Sequence, residues 1–407
     1  MESQRRVFLK KLSMTALGLG IPFGQIWSKS FDLKRSQSQD INPWLEISKE
    51  AYLNNAAEIS NIVNGKPILA VLKNNAYGIG DVEVANILDV SPHVYGFALV
   101  KEKRCLALRK SGVKKPILLM GDFSSELGQE IVNADITLSV FSRESFKKIT
   151  TLPRNESQKI KVQLYFDTGL GRMGIPHDTD WEWIKDLTQN DNIHVSGLFS
   201  TLTTPKDFAN EQITRFKVLL KKLKTMGIVP ERQHLAPSLS LLDLKESHMN
   251  TVRPGILLHG SFPLLKMSLP RPFLLKPTYR LKAKVIRLEL LNEGDTIGFS
   301  RFYKVPEKQW IATLPIGWAD GYSSAAENGA KLLIKGKLFT VVNVNASHCN
   351  VVIGTQKQVE VGDVATLIGP DAPEITPEGF AQSIDGNNYL QINYKESIPK
   401  YIFDAFD

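Results

Sequence analysis

Between residues 67 and 259 short apolar runs alternate with amphipathic segments, and this alternation restricts the possible folds more than any other feature of the chain. Residues 67–72 read as a strand, followed by a helix over 81–88. A strand is expected at 95–100, a helix at 101–111 and a strand at 116–120. The strand series continues through 161–166, 195–199, 234–236 and 256–259. So many βα units within about 220 residues predict an α/β chain built on a (β/α)8 barrel, whose site lies at the C-terminal ends of its strands. From Thr278 the pattern changes to alternating runs, at 280–288, 331–338 and 361–367, separated by turn residues. That texture predicts a mostly-β second domain. The expected boundaries are 1–38 for a leader and linker, 39–275 for the barrel and 276–407 for the β domain.

Composition narrows the function classes. The formal charge of +8 suggests a nucleic-acid partner until it is divided along the chain. Residues 1–35 hold seven Lys/Arg against Glu2 and Asp32, and the remainder carries 43 basic and 40 acidic residues, too even a balance for a basic footprint. No nucleic-acid partner is expected. Two cysteines, Cys105 and Cys349, cannot make a disulfide framework, and no Cys/His cluster has zinc-ligand spacing, so no metal is expected.

The first 28 residues read as an export signal. Paired Arg5 and Arg6 precede Phe8-Leu9-Lys10, and an uncharged, moderately apolar run follows from Leu12 to Ser28. The run is marginal as a membrane span, which needs roughly 20 strongly apolar residues. The RRxFLK core resembles the twin-arginine type of signal, whose machinery exports folded proteins. The expected location is periplasmic, with a retained anchor or a cytosolic basic tail as the alternatives. No clear A-x-A cleavage site precedes Ser28.

The segment ILAVLKNNAYG, residues 68–78, ends an apolar strand with a lysine at its mouth. Taken alone, a lysine at a strand end is usually just solvent-exposed. Partly desolvated, it can form a Schiff base with an aldehyde and later act as a base. AVLKNNAYG resembles the cofactor-lysine motif of the alanine racemase family, pyridoxal-phosphate enzymes with a barrel and a C-terminal β domain. Similar segments follow in the family's order: FDTGLGRMG at 166–174, VRPGI at 252–256, PIGWADGY at 315–322 and Gly362-Asp363. The likeness runs from WLEI at 44–47 to Pro399-Lys400.

The resemblance implies that Lys73 carries pyridoxal 5'-phosphate. It implies that Tyr77, Ser238 and the backbone amides of Gly255 and Ile256 cradle the phosphate. Arg253 is implied to face the pyridine nitrogen and keep it unprotonated, limiting the ring as an electron sink. Arg172 is implied to meet the cofactor hydroxyl or the substrate carboxylate. The implied activity is interconversion of L- and D-alanine, or of another small amino acid, in a homodimer whose partner β domain completes each site.

The chain departs from the family where protons are handled. Racemisation there uses two bases on opposite faces, the lysine and a tyrosine from the partner's β domain. The matching segment here is DTIGFSR, so the tyrosine position is Phe299. The histidine that backs the tyrosine reads Thr201. The family's Cys/Ser-Met-Asp turn, which lines the substrate carboxylate site, reads Ala346-Ser347-His348. Ser347 and His348 are therefore candidates for substrate contact, and His348 also for a replacement acid. The asparagine before Ser238 is Pro237, the lysine before the DTG segment is Tyr165, and Tyr389 and Tyr394 compete for the entrance tyrosine. Tyr303 and Tyr322 are the other hydroxyls near matched motifs. His348 beside Cys349 could be read as a metal or nucleophile pair, but neighbours on a strand point to opposite faces. The alternative function is an exported cofactor-binding homologue without turnover.

Overall fold

The structure is a computed structural model that describes residues 42–153, 159–179, 182–263, 273–386 and 393–406. The leader at 1–38 and Tyr389 lie outside the described residues. The first strand, β1 (Trp44–Ser48), is followed by the helix Lys49–Ile62, with Ser48 accepting the N–H of Ala51 as its cap. Then β2 (Ile68–Val71), β3 (Val94–Leu99), β4 (Ile117–Leu119), β5 (Ile136–Val140), β6 (Ile160–Asp167), β7 (Ile175–Pro176), β8 (Ile193–Phe199), β9 (Arg232–Pro237) and β10 (Thr251–Arg253) alternate with helices. Strands β2 to β6 and β8 to β10 pair in parallel. The β5–β6 and β10–β2 pairings close them into an eight-stranded barrel, with β7 only appended to β6.

Parity explains the two cores. Along β2, Leu69 and Val71 point into the barrel with Ala98, Leu118, Tyr165 and Phe199, whereas Ile68 and Ala70 face the helices. Two expectations are corrected. The strand expected at 256–259 is a run of turns, and the closing strand is β10, five residues earlier. Ile256, Leu257, Leu258 and His259 are all buried, and a short buried apolar run reads alike as strand or turn. Strand β5, buried along its whole length, escaped the sequence reading.

The second sheet has nine strands, mostly antiparallel, and all but β1 come from the C-terminal region. In it β1 pairs antiparallel with Tyr279–Lys284 and parallel with the last strand, Lys400–Phe403. The run expected at 331–338 is a hairpin, Lys331–Ile334 and Lys337–Val344, turning at Lys335-Gly336 with both residues at positive φ. The chain is thus an eight-stranded parallel barrel with helices, followed by a mostly-β domain. No helix among the described residues is long and apolar enough to cross a membrane.

Candidate active site

The C-terminal ends of the barrel strands gather Lys73, Tyr77, Ser238, Arg253, Gly255 and Ile256. Lys73 sits two residues beyond β2 and extends the inward parity of Leu69 and Val71. Burial, followed by the charges of Arg172 and Arg253, lowers its pKa. Such an amine is neutral, and therefore nucleophilic and basic, at a lower pH than one in water.

The chain leaves Lys73 through a left-handed turn. Asn74, Asn75, Ala76 and Tyr77 have φ of 54°, 57°, 49° and 59°, a conformation that costs ordinary L-residues roughly 1–2 kcal/mol each. Gly78 ends the turn at φ 96°, where a Cβ would lie 2.4 Å from the Tyr394 nitrogen. The turn brings Tyr77 to β10. A Cβ on Gly255 would stand 2.2 Å from Tyr77 Oη, so the bare glycine backbone is what admits the phenol.

Ser238 Oγ accepts the N–H of Gly255 at 2.9 Å, which leaves its own proton to donate. The N–H of Ile256, a residue 4% exposed, has no partner among the described residues. Two hydroxyls and an unpaired amide around one glycine form a cradle for an anion. The cradle and the desolvated lysine together fit an aldehyde that bears a phosphate.

Arg253 ends β10 and is 4% exposed. Its Nη1 donates to His234 Nδ1 at 2.8 Å, and its Nη2 donates to Ser200 O at 2.7 Å and Thr201 Oγ1 at 3.4 Å. No carboxylate pairs with it among the described residues, and burial lowers its pKa to about 10. Because His234 Nδ1 accepts from the arginine, its Nε2 carries the proton and donates to Gln163 Oε1 at 2.8 Å. Burial and the charge of Arg253 push the His234 pKa well below the usual range, so the imidazole is neutral. Phe199 stacks on both His234 and Tyr165, and Tyr165 Oη is 3.4 Å from Thr201 Oγ1. Thr201 therefore touches the arginine with a hydroxyl rather than an imidazole. A buried guanidinium whose Nη groups go to neutral acceptors rather than to a carboxylate suits a neutral ring-nitrogen acceptor.

Arg172 is exposed in the loop after β6, which Asp167 shapes by accepting the amides of Gly169, Leu170 and Gly171 at 2.8–2.9 Å. Phe299, Ser347 and His348 lie apart from these groups, on the β domain. Phe299 is 98% exposed beside Gly298, whose Cα packs against Asn343. Ser347 Oγ lies 3.2 Å from His348 Nδ1, and Asn345 Oδ1 accepts both their amides. Cys349 is fully buried and His348 is not, as strand alternation requires. Tyr303 Oη accepts from Gln309. Tyr322 is 1% exposed against Phe380, and Tyr394 is buried beside Tyr279. Neither can meet a substrate from there.

The sequence reading missed His234 and Gln163, whose partnership depends on strand register, and a layer beneath Tyr77. There His259 packs on the Tyr77 ring at 4.9 Å and shares a 2.7 Å hydrogen bond with Tyr52 Oη. The signal that could have found His259 was its place three residues past the VRPGI segment. No group of three His, Cys, Asp or Glu among the described residues could hold a metal.

Comparison with known proteins follows the same division. The model of the alanine racemase N-terminal domain matches residues 47–263, and that of the C-terminal domain matches 278–399. An alanine racemase of Clostridium kluyveri is 32% identical over 332 residues, covering 80% of this chain and 84% of the relative. Among solved structures, alanine racemase from Clostridium difficile 630 superposes with a TM-score of 0.81 at 27% identity, covering 89% of this chain and 96% of the other. A histidine racemase from Leuconostoc mesenteroides superposes with the same TM-score and identity, covering 89% and 98%. The chain belongs to the alanine racemase family.

Proposed function

We propose that this protein is a pyridoxal-phosphate-dependent amino-acid racemase that works without the family's tyrosine base. The observation that carries this reading is the meeting of a desolvated lysine, an anion cradle and a buried arginine with no carboxylate partner among the described residues at one end of the barrel. When bound, pyridoxal phosphate supplies an electron sink conjugated to the substrate Cα. Tyr77, Ser238 and the Ile256 amide would hold its phosphate, and Arg253, held in place by His234 and Ser200, would meet its ring nitrogen. Lys73 Nζ, whose pKa is lowered by burial and by the charges of Arg172 and Arg253, takes the Cα proton on its own face. Arg172 and the Ser347–His348 turn meet the substrate carboxylate, the latter from a partner subunit.

Alanine is the reference substrate because the relatives carry that name. A neighbour named for histidine on the same fold leaves the side-chain pocket to decide. The paired Arg5 and Arg6 support export to the periplasm by the twin-arginine route. The second reading, a cofactor-binding homologue without turnover, draws on Phe299 and Thr201, neither of which can pass a proton as the tyrosine and histidine do.

The test is hydrogen–deuterium exchange at Cα across a panel of L- and D-amino acids, with enantiomer ratios read in parallel. Exchange with inversion supports racemisation and names the substrate. Exchange with retention means that Lys73 works one face alone. A bound cofactor with no exchange favours the second reading.

A further inference from the structure

The left-handed turn that follows Lys73 is gripped by one side chain from outside the site. Arg104, on the helix Glu102–Lys110, donates Nε to Asp81 Oδ2 at 2.6 Å and Nη2 to Asp81 Oδ1. The same Nη2 reaches Asn75 Oδ1 at 3.0 Å, and Nη1 reaches Glu396 Oε1 at 2.6 Å. Asp81 is fully buried, so the fork is anchored by a charge that has no water to turn to. Asn75 Oδ1 also accepts the N–H of Asp81 at 3.2 Å, which fixes the middle of the strained turn from two directions.

Glu396 belongs to the C-terminal segment 393–396, which is wedged between two glycines. A Cβ on Gly78 would lie 2.4 Å from Tyr394 N, and one on Gly321 would lie 2.3 Å from Asn393 O. The N–H of Lys395 also donates to Asp320 O at 3.1 Å. A single guanidinium thus joins the lysine turn to segment 393–396.

We propose that Arg104 is a positioning residue for Lys73 and Tyr77: it sets the left-handed turn by holding Asn75 and Glu396 together, so the cofactor groups align when segment 393–396 is docked. The proposal rests on the cofactor reading above. Pairing with Asp81 alone would need only a point charge. Reaching three separate acceptors needs the planar fork, which lysine cannot supply.

The test uses the full chain with Arg104→Lys, Glu396→Gln and, as a control, Lys148→Gln, which removes a distant ion pair with Asp122. Amide exchange of peptides covering 73–81 is measured on cofactor-free protein, with peptides of the 94–99 strand as reference. Capture of pyridoxal phosphate at Lys73 is measured by borohydride reduction and peptide mapping. In Arg104→Lys, exchange over 73–81 is expected to rise about tenfold with the reference strand unchanged. Capture should weaken by about tenfold or more, since small misplacements of a reacting group are costly. Glu396→Gln should move both readouts the same way by less, and Lys148→Gln should move neither.

Faster exchange with wild-type capture overturns the positioning role, and so does unchanged exchange in both variants. Should Arg104→Lys not fold, Glu396→Gln decides, because it leaves the buried pair intact. Should the wild type itself capture no pyridoxal phosphate, the cofactor reading fails. Acylation of Lys73 by a neutral amine reagent then decides this proposal, and equal rates in wild type and Glu396→Gln overturn it.

Discussion

In the proposed reading, a phenyl ring at residue 299 and a threonine hydroxyl at residue 201 take the places of the family's phenol and imidazole, and neither side chain titrates near neutral pH. Restoring both groups with Phe299→Tyr and Thr201→His should raise Cα exchange by about 10² to 10⁴, the usual worth of a placed acid or base. No gain, in a protein that already racemises, would mean that the phenol and imidazole do not limit its rate. Lys73 offers a second handle. Its pKa is depressed first by burial and then by Arg172 and Arg253. Replacing Arg172 by Gln removes one repelling cation, so the lysine pKa rises and the acid limb of the exchange rate, along which Lys73 loses its proton and becomes a base, should move to higher pH. A profile that stays in place would mean that Arg172 is screened by water at its exposed position. Lys73 was legible in the sequence because its motif is a continuous stretch ending a strand. His234 was not, because its bond to Arg253 exists only once β9 and β10 lie side by side in register.

At the scale of elements, the barrel was legible because parallel strands buried on both faces leave apolar runs, and helices between them leave amphipathic ones. Turns are less legible. The run after Arg253 is as apolar as a strand, yet it folds back beneath the cradle and gives the site the Ile256 amide. That geometry rests on Gly255, where the backbone meets Tyr77 Oη without a side chain between them. Gly255→Ala would put a methyl 2.2 Å from that oxygen. The phenol must then swing away, and the phosphate loses one of its donors. Affinity for pyridoxal phosphate should fall about tenfold or more, a net loss typical of one hydrogen bond to a charged group. Affinity for pyridoxal, which lacks the phosphate, should change little. Equal losses for both compounds would show that the substitution had disturbed Lys73 rather than the cradle.

At the scale of the whole molecule, buried histidines set the acid limit of stability. His259 is fully buried and its pKa is lowered to about 3 by desolvation, and burial lowers those of His234 and His248 as well. The folded pKa lies below the unfolded one, so between about pH 6.5 and pH 3 the unfolded chain binds a proton that native His259 refuses. Stability is lost as pH falls, by about 2 kcal/mol for His259 between pH 7 and pH 5. Urea unfolding at the two pH values should show a smaller loss in His259→Phe. Assembly is the larger question at this scale. Phe299, Phe302 and Trp318 are 98%, 85% and 57% exposed. The loops carrying the first and last are locked together, since Gly298 packs on Asn343 and Gly317 on Asn345 and Ala346. Exposed aromatics on a rigid platform beside Ser347 and His348 are what a composite dimer site would present. Phe302→Glu adds a charge to that platform while leaving every barrel residue in place. Sedimentation should then find a monomer that retains pyridoxal phosphate but loses Cα exchange, and the wild type should lose specific activity on dilution. A monomeric Phe302→Glu with full exchange would mean that each barrel is complete in itself and that the β domain serves it only in cis.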